Sequence, residues 1–293
     1  MSNPISNLLW DILTTHLTSA ESAWLEKQGA ARPIELMTAF VATPRFLSKR
    51  IIQPSVEQTF ELNEILPRFS VEGWSFVRLS RVWLLSCLDD TDKEAYLRHI
   101  ETLFDTAEMN ELVALYSALP ILAYAEQWLF RATDAVRSNM GVVFDALALN
   151  NPYPRYHFSE LAWNQLVLKA IFNDKATHYI VGLEERNNEK LVLTLSDFAH
   201  ERWAAGRVVA PQVWRLVSKF LNDELLTDVM HLFASSSQYD KQAAALTCYH
   251  SNYEPAKQLL ATYPDLEKAV THHQLTWLNL EFTDLNTYVI EQN

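Results

Sequence analysis

The chain has 293 residues, 49% of them apolar, and carries 24 Lys+Arg against 36 Asp+Glu for a formal net charge of −12. That length and apolar fraction support a sizeable core and argue against global disorder. The acidic balance, with no basic run longer than Lys49-Arg50, argues against a nucleic-acid role, because such binding draws its affinity from clustered cations. The five glycines (Gly29, Gly73, Gly141, Gly182 and Gly206) are widely spaced. No G-x-G-x-x-G and no P-loop can be written, which removes Rossmann-type cofactor binding and Walker-type NTP hydrolysis. Two distant cysteines, Cys87 and Cys248, form neither a zinc ribbon nor a C-x-x-C and read as small buried hydrophobes.

The opening MSNPISNLLWDIL has no basic n-region, no uninterrupted apolar core and no small-residue cleavage site. No stretch approaches the ~20 apolar residues that span a bilayer. A soluble, cytoplasmic protein without a membrane span is the expectation. Scarce glycine, abundant Leu and Ala, and prolines at segment boundaries predict helices throughout. They fall near 5–28, 34–42, 74–88, 92–105, 108–119, 121–137, 139–150, 159–173, 188–205, 211–220, 222–235, 239–250, 254–262 and 264–270, with a further one near 273–280. Ser159 reads as an N-cap and Pro211 as a first-turn proline. Residues 43–72, punctuated by Pro44, Pro54 and Pro67, show little 3.6-residue periodicity and read as a linker or a packed extended loop. The expected fold is all-α: one domain over 1–293, an α-solenoid-like array of antiparallel helix pairs with its core over 71–293 and a separable N-terminal piece over 1–70.

Three features break the helical pattern. In the helix near 74–88 almost everything is apolar except a stripe carrying Arg78 and Arg81 beside Trp74 and Leu85. A helix apolar all round is buried, so these arginines require carboxylate partners in the chain, an anion, or a route to the helix edge. In the helix near 188–205, Arg202 falls inside the arc Leu191, Leu195, Phe198, Ala199 and Trp203, with His200 at its border. Arg202 either complements the helix dipole or holds an anionic ligand group, while Asp197 and His200 make a lone D-x-x-H without the second element a metal site needs. In the helix near 159–173, Asn164 projects between Val167, Leu168 and Ile171, with Gln165 and Lys169 as the polar edge. A buried amide needs partners, so Asn164 ties down the stiff loop Asn150-Asn151-Pro152-Tyr153-Pro154 or reads a ligand. The acidic run Asp89-Asp90-Thr91-Asp92 lacks the further carboxylate of a diphosphate-binding motif at Lys93, and His272-His273 have no ligand partner at metal spacing.

The ordered segments Arg137-Ser138-Asn139-Met140, Val143-Phe144-Asp145-Ala146, Asn151-Pro152-Tyr153-Pro154, Ala162 to Ala170, Gly182 to Arg186, Ala199 to Arg207 and Val213 to Val217 together resemble the EboA domain family of bacterial proteins. The resemblance is dense over roughly 130–260, recognisable at Gly73-Trp74 and thin before 70. It implies a setting in a small operon beside a UbiA-like membrane prenyltransferase, in the synthesis or traffic of a secondary metabolite. It brings no catalytic residues.

The expected function is therefore a non-enzymatic binding or scaffold protein of a metabolite pathway, with no cofactor and no metal. Its expected partners are an acidic, partly apolar metabolite and proteins of the same operon. The expected ligand site groups Arg137, Asn139, Asn151, Tyr153, Asn164, Lys169, His200 and Arg202. The alternative is an enzyme acting on an isoprenoid or aromatic intermediate in a helical cavity.

Overall fold

Side chains that can accept from the first free backbone N–H groups set the helix starts. The computed structural model describes residues 4–281. Thr18, Ser55, Ser75, Asp92, Glu108, Asn188 and Asn222 each accept a backbone N–H at the start of a helix. Ser159 does the same for Ala162 N–H at 3.3 Å, as its sequence position predicts. The fold is all-α: among the described residues the only β-type pairings are two isolated bridges. No helix among them is long and apolar enough to cross a membrane.

The described residues cluster into two compact units, one running to Trp163 together with Tyr179–Val181, the other formed by Asn164–His178 and the chain from Gly182 onward. The first contains α1 (Pro4–Thr14), α2 (Ser19–Gly29), α3 (Pro33–Phe46), α4 (Val56–Ile65), α5 (Phe76–Ser86), α6 (Lys93–Thr106), α7 (Met109–Ala118), α8 (Leu129–Arg137), α9 (Gly141–Ala148) and α10 (Tyr153–His157). Its hub is α5, which packs against α1, α2, α3 and α7, while α7 packs on α9. Nine of the eleven residues of α5 are buried, Arg81 among them. That degree of burial is what an apolar surround predicts. Trp83 of α5 tilts against Trp10 at 4.6 Å between ring centroids. It also lies against the end of α2, where a Cβ on Gly29 would overlap the indole ring.

The segment expected to be a linker or a packed extended loop contains a helix that its periodicity does not suggest. Ser55 and Gln58 form a capping box that starts α4 inside it, a local signal that outweighs the weak apolar stripe. On either side of α4 the chain returns to itself. Ile52 N–H donates to Trp74 O at 2.8 Å, Phe76 N–H to Arg50 O at 2.7 Å, and Gly73 N–H to Ile52 O at 3.3 Å. Gly73 supplies the positive φ of 73° that lets the chain turn there into α5. The long helix expected over 5–28 is two helices, because the Thr18–Glu21 capping box starts a new one. The helix expected over 121–137 is a 3-10 turn, Ala125–Trp128, followed by α8.

Helix α11 (Glu160–Phe172) runs from the first unit into the second. The second unit continues with α12 (Glu189–Ala204), α13 (Asp223–Ala234), α14 (Gln238–Tyr249), α15 (Glu254–Ala261), α16 (Pro264–Thr271) and α17 (Trp277–Glu281). Here α14 is the hub, packing on α13, α15, α16, α17 and the 3-10 segment Pro211–Leu216. Its buried stretch Ala243, Ala244, Ala245, Leu246, Thr247 and Cys248 is rich in small side chains, which suits a helix surrounded on several sides. Burial pushes the Cys248 thiol up to about 12, so it stays a protonated core residue. Cys87 is half-buried and also unbridged.

Candidate functional site

Two arginines one turn apart on α5 meet different surroundings. Arg81 is 2% exposed and fully engaged. Its Nε donates to Phe40 O at 3.0 Å, and its terminal nitrogens approach Glu111 at 3.1 Å and Glu108 at 3.5 Å. Glu108 and Glu111 also cap α7 for each other's backbone N–H at 3.0 and 3.1 Å. Arg81 therefore locks α5, the α3 backbone and the start of α7 into one ion-paired knot.

Arg78 has no such counter-charge. Its Nε donates to Ser117 Oγ at 2.8 Å, and its guanidinium lies 3.9 Å over the Trp74 ring. Among the described residues no carboxylate comes within ion-pair distance of it, and its terminal nitrogens have no protein acceptor. Burial pulls its pKa down to about 9, which leaves it cationic at neutral pH. A partly buried cation with four unused N–H donors is costly unless an anion completes it.

Arg78 lines a cavity of about 730 Å³ in the first unit, a size typical of small-molecule sites. The Ile51–Ser75 bridge and Trp74 just before α5 form one side, α5 contributes Val77, Arg78 and Arg81, and α7 and α9 border it with Met109, Val113, Val142 and Ala146. Lys49, Glu72, Glu108, Asp145 and Asn150 add polar groups. The walls are thus largely apolar, with charges set into them. The stripe of Trp74 and Arg78 was visible in the sequence. Lys49, Glu72 and Val142 were not, because the chain's return before α5 brings the first two there and the packing of α9 on α7 brings the third.

The four expected site residues of the first unit do not border this cavity. Asn151 is 2% exposed. Its Nδ2 donates to Tyr116 O at 3.0 Å and Ala146 O at 2.9 Å, and its Oδ1 accepts Tyr153 N–H at 3.0 Å. Tyr153 is buried and donates its hydroxyl to Ala125 O at 2.6 Å, and burial drives its pKa up. Together they staple the Pro152–Pro154 turn. Arg137 and Asn139 are exposed at and just beyond the end of α8.

In the second unit, Asn164 and Asn188 exchange reciprocal amide bonds at 3.1 and 2.8 Å, and Asn188 caps α12 through Leu191 N–H at 3.1 Å. Arg202 donates from Nε to Val208 O at 2.6 Å, and its guanidinium lies 5.6 Å over the Phe198 ring. His200, half-exposed, pairs through Nε2 with Asp228 Oδ1 at 2.6 Å, and Ser196 Oγ donates to Asp228 Oδ2 at 2.6 Å. The partner of His200 is therefore Asp228 of α13, which the D-x-x-H spacing does not reveal. The serine hydroxyl bonds the carboxylate and not the imidazole, so these three groups do not form a nucleophile–base relay. Lys169 on α11 is half-buried, and burial lowers its pKa. Among the described residues no group of three or more His, Cys, Asp or Glu is placed to hold a metal ion.

The helical architecture and this cavity define an all-α protein with an open, charge-bearing pocket and no sheet among its described residues. The chain belongs to the EboA family: the profile described as metabolite traffic protein EboA matches residues 5–218. The match reaches well before residue 70, where the sequence resemblance is thin, and it contains every residue lining the cavity. Searches of curated proteins and of solved structures find no match.

Proposed function

We propose that this protein is a non-enzymatic binding protein that holds an acidic, partly apolar metabolite in the first unit's cavity during its synthesis or traffic. In this reading it works in the cytoplasm, beside operon partners that include a UbiA-like prenyltransferase. The observation that carries the binding reading is Arg78, a cation without a carboxylate partner that lines an otherwise largely apolar space of about 730 Å³. Metabolite traffic, the description of its family, fits a protein that must bind and release. A guanidinium that retains its proton at neutral pH serves to hold an anion, which fits a binding role. The test is mass spectrometry of small molecules that co-purify with the full chain and with Arg78→Met. A metabolite retained by the wild type and lost from the variant supports the reading. Identical extracts from the two proteins refute it.

A further inference from the structure

The lining charges of the cavity restrict which anion it can accept. Of its two arginines, Arg81 is already neutralised by Glu111 and Glu108. Arg78 alone offers an open fork: its Nε is committed to Ser117 and one face to Trp74, which leaves the terminal nitrogens on one edge. That edge matches one carboxylate, which an arginine takes with two parallel N–H···O bonds. The remaining charged lining residues are Lys49, which is exposed, and the carboxylates Glu72 and Asp145, with Glu108 shared with Arg81. The carboxylates set a limit. A ligand bringing one negative charge completes Arg78, whereas a diphosphate brings two or three into a space already bordered by Glu72, Glu108 and Asp145. Like charges in a partly desolvated cavity repel more strongly than in water.

Resting on the reading that this cavity binds a metabolite, we infer that its ligand class is a monocarboxylate with an extended apolar body, and that diphosphates of the same body are rejected. Ile51, Trp74, Val77, Met109, Val113 and Val142 receive the apolar part, and Arg78 alone fixes the acid end. In a pathway, such a site holds the product of a reaction that generates a carboxylic acid, or the substrate of one that activates it.

The experiment uses three probes with one tail and different heads: farnesoate, farnesol and farnesyl diphosphate. Binding to the full chain is followed by tryptophan fluorescence, since Trp74 lies beneath the Arg78 guanidinium. Farnesoate is expected to bind about tenfold or more tightly than either of the others. A charge-assisted hydrogen-bonded pair supports a preference of roughly tenfold to a hundredfold. Arg78→Met is expected to bring farnesoate down to the affinity of farnesol, while Arg78→Lys, which keeps the charge and loses the fork, falls between. If farnesol or farnesyl diphosphate binds as tightly as farnesoate, the cavity still binds ligand but the monocarboxylate assignment is overturned. Farnesoate binding that survives Arg78→Met overturns it as well. If none of the three binds, the binding reading itself fails and the assignment with it.

Discussion

Replacing Arg78 and Arg81 one at a time by methionine separates a cation kept for a ligand from a cation that holds the fold. Methionine roughly preserves the aliphatic stem and removes the charge. Arg81→Met leaves Glu111, only 5% exposed, without its counter-ion and removes a donor from Phe40 O. Breaking a buried pair in this way costs about 3–5 kcal/mol. Arg78→Met removes the Ser117 hydrogen bond and the Trp74 contact, together worth about 2–4 kcal/mol. It also relieves the burial that drags the guanidinium from 12.5 to about 9. That shift corresponds to roughly 5 kcal/mol, which solvent screening at a partly exposed group reduces to about half. The two terms offset, so Arg78→Met is expected to unfold within about 1 kcal/mol of wild type. Thermal denaturation followed by far-UV circular dichroism measures both. For a unit of this size the Arg81 variant should melt about 6–15 °C lower and the Arg78 variant within about 4 °C of wild type. Equal losses in the two variants would show that Arg78 is structural, and the argument for an anion site would fall.

Carboxylate binding should hold steady from pH 6 to 8 and weaken above about pH 9, where free Arg78 begins to lose its proton. A titration that stays flat to pH 10.5 would contradict this. Glu21 is poised differently: burial alone would raise its pKa, but hydrogen bonds from Thr18, Arg50 and Ser48 outweigh that and bring it to about 2. A carboxyl lowered in the folded state contributes stability above its ordinary 4.5 that is lost as pH falls toward about 2. Glu21→Gln should therefore cost about 2–3 kcal/mol at pH 7 and much less at pH 2.5, which thermal melts at the two pH values compare. Gly29→Ala should cost about 1–3 kcal/mol by pushing a methyl group into the buried Trp83 ring. Restoration of stability by Trp83→Phe in the same background would confirm the clash, and a neutral single variant would dismiss it.

Much of the fold and part of the site were legible from local rules. Ser159 acts at a helix start within a few residues of its own position and was read as such, whereas the caps at Thr18 and Ser55 were passed over and with them the breaks in the chain they make. The apolar surround of α5 forced its burial and marked Arg78 and Arg81 as side chains that need an explanation. Asn164 stood out as an amide among apolar neighbours, and Asn151 and Tyr153 as members of a stiff proline loop. The choice between ligand contact and internal partner lay outside sequence reach. Tyr116 O, Ala125 O and Asn188, their partners, come from 35, 28 and 24 residues away along the chain. The same holds for His200, whose partner Asp228 lies on the next helix.

The sequence by itself determined that the protein is helical, because few glycines, boundary prolines and side-chain caps act over a single turn. It also determined that α5 carries two cations into an apolar core. Only the tertiary structure decided their separate fates. Residues 78 and 81 share one stripe of one helix, yet the start of α7 brings Glu108 and Glu111 against Arg81 while Arg78 meets the Ser117 hydroxyl and the Trp74 ring. Charge compensation falls off within a few ångströms in space, so one helical turn is enough to separate a structural arginine from one left open to a cavity.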